Sequence, residues 1–72
     1  MPRKPSKYMV RLMIADAHKA EAGIDDWDPS KMTRVFRLGN EWLATFKGRG
    51  FSLVAAKAGN LTDLITALRG LL

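Results

Sequence analysis

The 72 residues contain no cysteine and a single histidine, and no apolar run approaches the roughly 18 residues needed to span a bilayer. Without cysteine there are no disulfides and no thiolate metal sites, which fits a reducing compartment, and the cytoplasm is the expected one. The lone His18 cannot make a histidine-rich metal centre, and no recognisable Ser-His-Asp arrangement surrounds it. The most apolar stretch, Tyr8 to Ala17, is broken by Arg11 and Asp16, and Met1-Pro2-Arg3-Lys4 leads into no uninterrupted signal-peptide core. No membrane association is expected.

Negative charge is also scarce. Seven Asp and Glu stand against twelve Lys and Arg, for a net charge of +5. A protein that works by imitating DNA needs a dense negative surface, so that class is excluded. An excess of cations instead favours a polyanionic partner, because Lys and Arg near phosphates release condensed counterions whatever the base sequence. The carboxylates offer no activated pair, since Glu41 falls at a hairpin turn, where an exposed acid keeps ordinary chemistry. Neither catalysis nor a cofactor is expected.

What is present is enough for one folded unit. Hydrophobic residues make up 47% of the chain and charged ones 26%, a balance that offsets the entropy of ordering a backbone. Residues 1–5, with two prolines and the cations Arg3 and Lys4, read as a basic arm, and residues 6–72 as a single domain.

Ser6 is a good N-cap, and a run without proline or glycine from Lys7 to Ala22 predicts a first helix, stopped at Gly23 by a Schellman ending that folds Ile24 back. Met9, Val10, Met13, Ile14, Ala17 and Ala20 share its core face, while Lys7, Arg11 and His18 share another that continues the charge of the arm. From Ile24 to Lys31 a loop is expected. Its Asp25, Asp26 and Asp28 lack the glycine turn and distal glutamate of a calcium loop, so they read as solvation rather than a metal site, with Trp27 capping one end of the core.

Thr33–Leu38 and Glu41–Lys47 read as strands joined at Gly39-Asn40. A two-residue loop puts Trp42 on the side of Val35 and Arg37, whereas a three-residue loop with a bulge gathers Phe36, Leu38, Trp42, Ala44 and Phe46 on one buried face. The second register is preferred because it concentrates the large apolar side chains. Thr33, Arg37, Thr45 and Lys47 then share the opposite, cationic face with Val35 and Leu43. Gly48-Arg49-Gly50 makes the next turn and offers amides and an arginine to an anion; Phe51–Lys57 is the third strand. Asn60 and Asp63 approximate a capping box for a last helix with Leu61, Leu64, Ile65, Leu68 and Leu72 on its apolar face.

The expected fold is therefore α+β: helix, three strands and helix, an antiparallel three-stranded sheet with both helices packed on one face. Double-stranded-RNA-binding domains share that order of elements. Their second helix opens with a lysine cluster, where this chain reads Leu61-Thr62-Asp63-Leu64, so the resemblance is one of order alone. The stretch from Arg34 to Leu68 is similar in rhythm to small antitoxin-like domains.

Two functions follow. As a small basic module the chain is expected to contact phosphates of DNA or RNA through Arg3, Lys4, Lys7, Arg11, Arg37, Lys47 and Arg49. The alternative is a protein-interaction module, such as an antitoxin-like or inhibitory protein of a mobile element, binding through Tyr8, Leu12, Trp27, Leu43 and Leu71. The exposed side of the last helix, with Leu71, also offers a surface for pairing two chains as a homodimer.

Overall fold

The computed structural model describes residues 4–72. Arg3 of the basic arm lies outside them. Helix α1 spans Lys7–Glu21, strands β1, β2 and β3 span Thr33–Leu38, Glu41–Lys47 and Ser52–Ala58, and helix α2 spans Leu61–Arg69. The strands form one antiparallel sheet in the order β1-β2-β3. Both helices cover the same face of it, and the element order is the one the sequence predicts.

Each helix starts and stops where its side chains dictate. The Ser6 hydroxyl accepts from the Met9 amide at 3.2 Å, filling one of the amides the first turn leaves open. At the other end Gly23 adopts φ 76°, the Gly23 amide donates to Ala20 at 3.1 Å, and that of Ile24 donates to Lys19 at 2.9 Å. These two bonds are the Schellman pair. Replacing Ser6 by alanine is expected to cost about 1 kcal/mol, read as a lower urea midpoint with an unchanged m value. In α2 the Asn60 side chain accepts from the Asp63 amide at 2.8 Å, and its own amide group donates to the Asp63 carboxylate at 3.1 Å. The expected box thus closes through two side chains rather than through the Asn60 backbone.

The hairpin register corrects the sequence reading. Thr33 pairs with Phe46, Val35 with Ala44, Arg37 with Trp42 and Leu38 with Glu41, so Gly39-Asn40 is a two-residue loop. Gly39 has φ 63° while Asn40 stays at negative φ. Glycine in the first central position gives the type II′ arrangement, whose twist matches the flanking strands without a bulge. Trp42, Ala44 and Phe46 therefore face the helices beside Thr33, Val35 and Arg37, and Phe36 and Leu38 point to the opposite face with Arg34, Leu43, Thr45 and Lys47. The irregularity lies instead between β2 and β3, at Ala44/Thr45, where Ala44 pairs with Ala56 but Thr45 with Val54. It leaves Ala55 as the extra residue.

Beside Trp42 and Phe46, the covered face carries alanines for a packing reason. Ala44 is fully buried, with Ala55, Ala56 and Ala58 around it, and the room they leave is filled by Val10, Met13, Leu64 and Leu68 from the helices. Large side chains on both layers would hold the helices off the sheet. Thr33, buried at the start of β1, donates its hydroxyl to the Asp16 carboxylate at 2.8 Å and so ties the sheet edge to α1.

Three smaller corrections follow. The third strand begins and ends one residue later than expected, because the Gly48 amide donates to the Phe51 carbonyl at 2.7 Å and holds Phe51 in the turn. Leu72 lies beyond the end of α2 and is 46% exposed, so it adds nothing to the core. Trp27 does not close the core; it is partly exposed beside β1. No helix among the described residues is long and apolar enough to cross a membrane.

Candidate nucleic-acid interface

α1 begins beside the turn joining β2 to β3, and its last turn lies near Arg37 and Trp42 at the hairpin end of the sheet. At the first of these ends Lys4, Lys47 and Arg49 line a single hollow of about 380 Å³ together with Met9 and Phe46. Lys7 and Arg11, four residues apart and exposed, continue the cationic surface along α1. No carboxylate among the described residues lies within salt-bridge distance of any of these five cations. The Lys47 ammonium donates to the Pro29 carbonyl, a neutral partner that leaves its charge uncompensated. At this turn the Gly48 amide is occupied by the Phe51 carbonyl, and the Arg49 side chain is exposed.

Most of the acids are engaged by partners of their own. Asp26 in the loop after α1 accepts from Lys19 at 2.9 Å and from Lys31 at 3.1 Å. Asp28 accepts from both the hydroxyl and the amide of Ser30, the latter at 2.8 Å. His18 meets Glu21 at 3.1 Å on the exposed side of α1. Among the described residues no three His, Cys, Asp or Glu side chains converge as metal ligands would.

The Lys19 and Lys31 hydrogen bonds hold the Asp26 carboxyl below the usual range, and the bond and charge of Asp26 raise Lys19. A lowered carboxyl contributes stability that is present at neutral pH and lost as pH falls through the folded value, whereas a raised lysine loses its share only as pH climbs through its own. The clamp between α1 and the loop should thus hold at neutral pH and open in acid. Side-chain carboxyl NMR is expected to give Asp26 a midpoint below the reference of about 3.9, and Lys19→Ala to move that midpoint upward.

The remaining residues singled out in the sequence scatter. Arg37 lies at the opposite end from Arg49, with its Nε donating to the Gly39 carbonyl at 3.0 Å. Tyr8 is 65% exposed on α1, and Leu12 is half-buried. Leu43 is half-buried on the open sheet face, and Leu71 is exposed past the end of α2.

Sequence reasoning missed a set of residues on that open face. The Arg34 guanidinium carbon lies 4.4 Å from the centre of the Trp27 ring and 4.6 Å from that of Phe36, so the cation is held by two aromatic rings. Leu38 is 65% and Val54 55% exposed on the same face, with Lys57 opposite Leu43. The two-residue reading of Gly39-Asn40 was the signal that would have placed them there. Comparison with family models, curated proteins and solved structures finds no match.

Proposed function

We propose that the protein is a non-catalytic nucleic-acid-binding module that engages phosphates through the pole formed by Lys4, Lys7, Arg11, Lys47 and Arg49. The observation that carries this reading is the meeting of Lys4, Lys47 and Arg49 in one hollow, without a neighbouring carboxylate among the described residues. Cations so arranged repel one another, and an incoming phosphate relieves that repulsion while counterions return to solvent. Arg3, next to Lys4 in the chain, adds one more positive charge to the module. Contacts of this kind provide affinity and position, with little choice of base sequence.

Fluorescence anisotropy of labelled oligonucleotides across a salt series tests the proposal. Binding should weaken linearly in log salt. Absence of binding to every oligonucleotide at 50 mM salt would sink it and shift attention to a protein partner, for which exposed Tyr8 and Leu71 are the supporting observation.

A further inference from the structure

We infer that the open face of the sheet takes the bases of a single-stranded nucleic acid, extending the phosphate contacts made at the cationic pole. This inference rests on the nucleic-acid reading above and names its substrate class. The face is ordered in rows across the strands. Arg34, Thr45 and Val54 make one row, and Phe36, Leu43 and Lys57 make the next. Leu38 and Glu41 follow toward the hairpin, and Lys47 and Ser52 toward the pole. Neither helix covers any of it, since both pack on the other side.

Apolar surface and unpaired cations are interleaved here, which restricts the occupant. A second copy of the chain would bring a face with Arg34, Lys47 and Lys57 and the single acid Glu41 against an equal one, so net like charges would meet. A duplex offers its phosphates but keeps its bases stacked inside, and would leave Phe36, Leu38 and Val54 against a charged, hydrated backbone. A single strand alternates anionic phosphates with flat apolar rings, and both halves of that pattern find partners on this face. Bases cover the apolar side chains Phe36, Leu38 and Val54, and Lys47 and Lys57 meet phosphates.

The stack at the β1 edge supports the same occupant. Arg34 is exposed, and its guanidinium is held against Trp27 and Phe36 with no carboxylate in salt-bridge distance among the described residues. A planar cation fixed in this way can donate from its edge to a phosphate or a base with little further loss of freedom. Lys47 belongs both to the open face and to the hollow of the pole, so one strand can pass from one to the other without a break.

The test uses the full chain with fluorescein-labelled single-stranded DNA, single-stranded RNA and duplex DNA of equal length at 50 mM salt. Single strands are expected to bind at least tenfold more tightly than duplex. Phe36→Ala should weaken single-strand binding about tenfold, the loss of one stacked base, while leaving the salt slope unchanged. Val54→Ser and Leu38→Ser, at exposed positions that cost the fold little, should each weaken it severalfold in the same manner. In a Trp42→Phe background, single strands should quench Trp27. Duplex binding as tight as single-strand binding, or single-strand affinity untouched by the Val54 and Leu38 changes, would overturn the inference while leaving the phosphate reading intact. No binding to any oligonucleotide overturns both. A micromolar dimer in sedimentation that Val54→Asp dissolves would assign the face to a second copy, and this too overturns the inference.

Discussion

Leu68→Ala is expected to lower the stability of the domain by about 3 to 4 kcal/mol, enough to leave much of the chain unfolded at 37 °C. Leu68 is fully buried and packs with Val10, Met13, Ala44 and Leu64 at the junction of both helices and the sheet. The loss combines the transfer of the removed methyl groups with a cavity that cannot collapse. The sheet side of this cluster includes Ala44, Ala55, Ala56 and Ala58, whose short side chains cannot move inward to fill space. For a domain of this length each kcal/mol is worth about 4–8 °C in midpoint, so thermal unfolding followed by circular dichroism should shift by at least 12 °C or lose its transition. Leu72→Ala is the companion measurement. The sequence places both leucines on one helical face, but α2 ends at Arg69 and Leu72 is exposed, so its removal should change stability by less than about 0.5 kcal/mol.

The contrast between those two leucines shows where the sequence is informative. Helical spacing identified the buried positions of both helices because each turn repeats the same constraint: Val10, Met13 and Ala17 on one, Leu64, Ile65 and Leu68 on the other. Caps were legible for a similar reason, since Ser6 and Asn60 act on amides three residues away. The hairpin register was not, because it turns on a single residue's backbone. Both registers satisfy alternation, and collecting large apolar side chains on one face is a sound rule only when that face must fill its own core. Here the covered face mixes Trp42 and Phe46 with alanines that lie beneath the larger core side chains of the helices, a choice made by the opposing layer and invisible within the strands themselves.

That one shift also governs what is legible of the candidate interface. Lys4, Lys47 and Arg49 were identified by charge, yet their convergence depends on α1 starting beside the β2–β3 turn, a long-range fact. Arg37 was selected on the same grounds and lies at the other end, bonded to the hairpin carbonyl of Gly39. Arg34 and Phe36 were passed over because the preferred register buried Phe36. With the observed register, the aromatic and the cation are neighbours two residues apart on one face, and Trp27 arrives from the preceding loop to complete the stack.

Neutralising Lys4 and Arg49 together should reduce affinity for a single-stranded oligonucleotide by roughly sixtyfold at 50 mM salt and make the log–log salt slope shallower by about 1.4. Each phosphate contact contributes counterion release that scales as salt concentration to about the power −0.7 on a single strand, close to eightfold at 50 mM, and two contacts multiply. Both side chains are exposed and lie beside the same hollow, so their removal takes charge without taking core. Circular dichroism should therefore remain that of the parent. Lys47 is kept in this variant because its ammonium also bonds the Pro29 carbonyl and anchors the loop, which would mix folding with binding. Arg37→Ala removes the same charge as Arg49→Ala from the far end of the molecule, and under the polar arrangement it should leave the slope nearly unchanged. Equal slopes lost at Arg37 and Arg49 would mean that net charge alone, and not the hollow beside α1, attracts the nucleic acid.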